Sequence, residues 1–236
     1  MNHTNHSSDN MKKSLLLLII VMLSVVEALA QKQGKSKIDS LFSVLRTAKP
    51  DTAKVNTLNI LAGEFGNNNP DTAIYFANQS LAIAVKVDYK FGIANAYLTI
   101  GAAITTLGKF EKALKNINDA LKIYDQILPM ATGTEKTGDK LKIMKKKAGV
   151  YNYIGVINLY QGNYPGALKS FFTSIKIREE IGDKQGIGDC YKNIGNIYSQ
   201  QGNYPEALKN YFASLKIGEE TGDNKGMSTS YNNIGL

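Results

Sequence analysis

The chain has 236 residues, 43% of them hydrophobic, and 28 Lys and Arg against 20 Asp and Glu, a net charge of +8. That length can bury a sizeable core. Cys190 is the only cysteine and the two histidines, His3 and His6, stand at the extreme N-terminus, which excludes an internal disulfide, a cysteine zinc site and, over the rest of the chain, histidine-activated nucleophiles or histidine metal sites.

Lys12 and Lys13 precede the apolar run Ser14 to Val26, and small residues follow at Ala28 and Ala30. A basic segment, an apolar segment of secretory length and an Ala-x-Ala site predict a signal peptide over residues 1–30. The run falls short of the roughly 20 residues of a membrane span, and an uncleaved anchor is the alternative. No cysteine stands directly after the leader to carry a lipid. The leader holds two lysines and two acids, so the charge of +8 stays with the remainder. Export argues against a nucleic-acid partner and directs this charge toward an anionic protein or a membrane surface. The protein is expected to be periplasmic or extracytoplasmic, with membrane attachment through the leader or through a later segment.

Ile38, Leu41, Phe42 and Leu45 fall on one helical stripe that stops at Pro50, predicting an N-terminal capping helix within 31–50. Residues 51–236 then repeat themselves. The stretch Gln201 to Asp223 matches Gln161 to Asp183 at 16 of 23 positions, with a period of 40 residues. A looser copy surrounds Tyr97 to Leu114, an eroded one covers Asn56 to Ile74, and Tyr231 to Leu236 opens another. Repeat bounds are about 52–90, 92–128, 148–184, 188–224 and a partial 228–236. Each copy reads as two helices. Tyr191, Ile194, Gly195 and Tyr198 form the stripe of the first; Ala207, Tyr211, Ser214, Leu215 and Gly218 keep one face of the second small or apolar. Gly202 suits a left-handed turn, Pro205 a first helical turn and Gly222 a helix C-cap. Gly195 and Ala207, twelve apart across the turn, are expected to let the helices approach closely, as are Gly155 with Ala167 and Gly101 with Ala113.

The positions Tyr191, Ile194, Gly195, Tyr198, Gly202, Tyr204, Ala207 and Tyr211 resemble the tetratricopeptide repeat. The resemblance covers roughly Thr52 to Leu236 and implies an all-α fold: a right-handed α-solenoid of stacked antiparallel helix pairs. The period of 40 rather than 34 resembles the longer variety found in kinesin light chain and in bacterial signalling regulators. The proline that usually ends the second helix is missing. Leu61 replaces the glycine and Pro70 the second aromatic in the first copy, which is expected to pack more loosely.

Gly101 and Gly155 lie 54 residues apart, so 14 residues are inserted, within 129–147. Pro129 breaks a helix, a loop follows, and a lengthened helix starts near Asp139. The five lysines between Lys140 and Lys147 are read as a solvated face with Leu141 and Met144 turned inward; docking of an acidic partner or lipid headgroups is the other reading. Leu236 lies just past the glycine of a first helix, and the expectation is that the chain is the N-terminal piece of a longer protein.

Phosphate-loop and dinucleotide fingerprints are absent. The pairs Glu179–Glu180 and Glu219–Glu220 recur at the repeat period and are adjacent on a helix, which favours structure over acid–base chemistry. Cys190 is expected to be a buried, inert thiol. The chain is therefore read as non-enzymatic, without cofactor or metal.

The resemblance implies that first helices line a concave surface, with residues three and two before the glycine, and one and four after it, facing the groove. Those offsets give Asn152, Tyr153 and Val156, then Lys192, Asn193, Asn196 and Ser199, then Asn232 and Asn233. An asparagine offers both a donor and an acceptor to an extended peptide backbone, so Asn193 and Asn233 would form a ladder. Lys192, Asn196 and Asn233 also resemble the start of a clamp for a C-terminal carboxylate. The implied partner is a protein or extended peptide in the groove. The resemblance further implies the exported sensory or interaction region of a membrane signalling protein such as a histidine kinase; a free secreted scaffold without a signalling role is the alternative.

Overall fold

The structure, a computed structural model, describes residues 37–131 and 137–235. The expected leader at 1–30, the loop at 132–136 and Leu236 lie outside the described residues. These fall into two compact units, one ending at Ala48 and one running from Lys49. The first contributes helix α1, residues 37–47, whose partly covered positions Ile38, Leu41, Phe42 and Leu45 form the stripe read from the sequence.

The second unit consists of α2 (Thr52–Phe65), α3 (Pro70–Lys86), α4 (Lys90–Thr106), α5 (Phe110–Ile127), α6 (Thr137–Tyr160), α7 (Tyr164–Glu180), α8 (Lys184–Gln200), α9 (Tyr204–Thr221) and α10 (Asn224–Ile234). A 3-10 turn, Leu128–Met130, follows α5. Each helix packs on the next, and α2, α4, α6, α8 and α10 also touch in order, so the expected all-α solenoid is present. No strand occurs among the described residues, and none of their helices is long and apolar enough to cross a membrane.

The joints follow from local chemistry. Gly162, Gly182, Gly202 and Gly222 adopt φ between 70° and 73°, a left-handed geometry that costs glycine little. The next residue is Asn163, Asp183, Asn203 or Asp223, and its side chain accepts the N–H three residues on, capping the following helix. Pro165 and Pro205 then occupy the first turn, where no amide hydrogen is needed. Asp88 departs from this pattern: it holds φ 50° where later copies have glycine, and α4 has no side-chain cap.

Packing within each hairpin departs from the expected glycine–alanine contact. A Cβ on Gly155 would stand 2.7 Å from the Phe171 ring, and one on Gly195 would stand 2.5 Å from the Tyr211 ring. A Cβ on Gly101 would meet Ile117 at 2.5 Å and the Ala113 carbonyl at 3.1 Å. The glycine thus seats a large side chain sixteen residues on, and the alanine twelve on is a secondary contact. In the first hairpin the sizes are exchanged. Leu61 stands in the glycine's place, Ala77 sixteen on, and both are fully buried. The eroded copy therefore fills its seam, correcting the expectation of loose packing.

Helix α6 has 24 residues against 17 in α8, because the inserted residues from Thr137 onward are continuous with the repeat helix. Ile143, Val150 and Ile157 are buried at heptad spacing and set its rotation. Leu141 lies about 200° around from Ile143 and is 47% exposed, so the sequence reading that turned Leu141 inward is corrected.

Candidate binding groove

Alternate helices of an up-and-down stack run in the same direction, so α2, α4 and α6 present parallel stripes to one side. Between them lies a groove of about 1670 Å³. Helix α4 contributes Phe91, Asn95, Leu98, Ala102 and Thr105, and α6 contributes Lys142, Lys146, Gly149, Tyr153, Val156 and Tyr160. Both sets follow helical spacing.

The floor contains polar groups whose bonds are incompletely used. Asn95 is 7% exposed and its Oδ1 accepts the Tyr124 hydroxyl at 2.7 Å. Its Nδ2 has no acceptor among the described residues. Tyr124 packs its ring edge on Phe91 at 6.0 Å, and burial pushes its phenol pKa far above the ordinary value, so it stays a neutral donor. Asn59 donates from Nδ2 to the Gly92 carbonyl at 3.2 Å, while its buried Oδ1 has no partner among the described residues. Leaving such a group unpaired costs about 1–3 kcal/mol.

Charge is distributed along the groove. The N-terminal ends of α4 and α6 bring Lys90, Lys142, Lys145 and Lys146 to one end, with Asp88 and Asp139 nearby. Lys142 pairs with Asp139 at 3.1 Å, Lys145 with Asp183 at 3.6 Å, and Arg178 binds Asp183 closely. Lys147 turns away to Asp125 at 2.7 Å. Lys146 has no carboxylate in ion-pair range among the described residues. Partial burial, with Lys145 beside it, pulls its ammonium pKa below the ordinary value even though part of the side chain reaches solvent. At the other end Phe110 stacks on Tyr160, ring centroids 5.8 Å apart.

Of the residues read from the sequence, Tyr153 and Val156 line this groove, and burial raises the Tyr153 phenol pKa. The others lie outside it, on α6, α8 and α10. Asn193 donates to Asn152 at 3.3 Å, and Asn233 donates to Asn196 at 3.2 Å. Asn196 also accepts the Tyr211 hydroxyl at 2.9 Å, and that hydroxyl is hydrogen-bonded to Ser199. Lys192 turns to Asp189 on its own helix at 2.9 Å, and Asn232 is exposed. The structure thus gathers the asparagines into two bridges between successive first helices.

Sequence reasoning missed the α4 wall, although its signal was present. The same glycine offsets, placed around Gly101, fall on Leu98, Thr99, Ala102 and Thr105, all of which line the groove. Asn95, six residues before Gly101, lies at an offset that was not considered. Cys190 is fully buried with its Sγ 3.4 Å from the Ser174 hydroxyl. Burial raises its thiol pKa, while Ser174 and Arg178 pull it down to a lesser degree.

Residues 147–220 match the family model of the tetratricopeptide repeat. Residues 147–220 carry tetratricopeptide repeats. A repeat fold of this kind is generally an interaction module, presenting an extended concave surface to other proteins. Among solved structures, BtubC (BKLC) from P. vanneervenii is similar at a TM-score of 0.62 and 17% identity, over 87% of this chain and 81% of that one. Aspartyl phosphate phosphatase F from Bacillus subtilis is similar at a TM-score of 0.65 and 15% identity, over 84% of this chain and 52% of the phosphatase. The apo form of RapI gives a TM-score of 0.56 at 15% identity, over 75% of this chain and 47% of RapI. The chain therefore spans about half the length of the last two, and the likeness is one of fold. No curated protein matches the sequence significantly.

Proposed function

We propose that this chain is a non-enzymatic module that binds an extended polypeptide in the groove between α2, α4 and α6. The observation that carries this reading is Asn95, nine-tenths buried in the floor with its amide oxygen engaged by Tyr124 and its amide donor left for a ligand. A peptide backbone supplies a carbonyl at every residue, whatever its sequence, and apolar walls on both sides accept its side chains. The bound chain continues along α8 and α10. There Asn193 and Asn233 spend one donor each on Asn152 and Asn196 and keep their acceptors. Lys192, Ser199 and Asn232 flank that path.

The module works outside the cytoplasm, as the interaction region of a longer membrane signalling protein. The leader-type N-terminus supports export, and the long-period repeat supports the signalling role. The test is selection from a random dodecapeptide display library on the full chain. Ala102→Trp, which fills the groove from the middle of α4, should abolish capture of the selected peptides while circular dichroism is unchanged. Retained capture would remove the groove from the site.

A further inference from the structure

Two glycines on the groove wall face open space. Gly63 on α2 and Gly149 on α6 both line the groove, and a Cβ on either would meet nothing within 4 Å. They contrast with Gly101, Gly155 and Gly195, where a neighbouring side chain occupies that space. A helix-interior glycine costs about 1 kcal/mol relative to alanine, and no packing at these two positions recovers it. Gly149 stands six residues before Gly155, as Asn95 stands before Gly101, so the gap and the free amide donor hold equivalent places on neighbouring first helices. One turn upstream of Gly149 on α6, at the end of the same groove, is Lys146, a cation with no carboxylate in ion-pair range among the described residues. Lys142 and Lys145 flank it, and their pairings with Asp139 and Asp183 are largely solvent-exposed on the lysine side.

We propose that the ligand is a polypeptide carrying an acidic cluster, seated so that its carboxylates meet Lys146, Lys145 and Lys142 and its backbone crosses the Gly149–Asn95 gap. This rests on the groove being a peptide site and adds the chemistry that selects the peptide. The apolar side chains that follow the acidic cluster lie along Leu98, Val156 and the stacked Phe110–Tyr160 pair. Lys90, Lys142, Lys145, Lys146 and Arg178 outnumber Asp88, Asp139 and the paired Asp183, so this end of the groove stays net positive. A concave, partly apolar groove between three helices favours a single chain over a flat lipid surface.

The test uses the peptides from the display selection, with each acidic hit also synthesised with glutamine in place of its acids. Binding is read by fluorescence polarisation on the full chain and on two variants. Lys146→Gln should weaken the acidic peptides about tenfold, the effect of one partly desolvated ion pair, and leave the glutamine versions unchanged. Gly149→Leu should abolish both, and should not unfold the chain, because the added side chain enters open groove and replaces a poor helix former. Hits with no acidic bias, or with equal affinity for wild type and Lys146→Gln, would overturn the acidic assignment and leave the peptide groove standing. Selected peptides that bind Gly149→Leu normally would overturn the groove itself. Phosphatidylglycerol vesicles bound in a Lys146-dependent manner, with no peptide recovered, would overturn the polypeptide ligand.

Discussion

At the scale of single residues, the Asp223 cap carries a pH dependence. Asp223 accepts the Gly226 N–H at 3.0 Å, and this bond, helped by Gln185 and Lys192, holds its carboxyl below the usual carboxylate range. A carboxyl with a depressed folded pKa stabilises the fold above its unfolded pKa, and the contribution disappears as pH falls through the folded one. Stability should therefore hold down to about pH 4 and decline below it. Asp223→Asn keeps a capping oxygen without the titration. It should cost roughly 0.5 kcal/mol at neutral pH through the lost charge at the helix N-terminus, and flatten the acid limb of the urea midpoint plotted against pH. An unaltered acid limb would show that this carboxyl does not titrate with folding. These caps were legible as Gly-Asn and Gly-Asp pairs, since left-handed turns and N-caps each demand particular residue types. Asn95 was not legible in that way. Its meaning depends on Tyr124, which is 29 residues away in sequence.

At the scale of elements, the joint between α3 and α4 holds a non-glycine residue in a left-handed conformation. Asp88 takes the left-handed conformation that glycine takes between α7 and α8 and between α9 and α10. Asp88→Gly should stabilise the chain by about 0.5–1 kcal/mol, since an L residue pays a steric cost in that region that glycine does not. That corresponds to a rise of roughly 1–3 °C in the midpoint of a thermal melt; no rise would mean that Asp88 has a compensating bond. The lengthened α6 shows where element-level reading runs out. Its existence follows from the lysine-rich run, whose residues are good helix formers. Which lysines face the groove depends on the helix's rotation, and Ile143 and Val150 set that only once the neighbouring helices are in place.

At the scale of the molecule, each helix rests on its chain neighbours and on the next first helix, so damage should stay local. Gly195→Val would drive a side chain into the Tyr211 ring, 2.5 Å from where its Cβ must lie, and should cost about 1–3 kcal/mol. Amide exchange should then accelerate in α8, α9 and α10 while α2 to α5 keep their protection. Uniform acceleration along the chain would instead mark a single cooperative unit. The solenoid itself was readable because its period is written twice almost verbatim. The groove lies in the least repetitive stretch, between the eroded first copy and the insertion, and self-comparison has least to say there.

The exchange of Leu61 with Ala77 against Gly195 with Tyr211 also limits how such a chain can be rebuilt. Splicing α2 into the place of α8 would set two bulky groups against one another, and the reverse splice would leave a hollow. Only whole hairpins are interchangeable parts. Lineages that lengthen or shorten this array must therefore copy or delete both partners of a seam in one event.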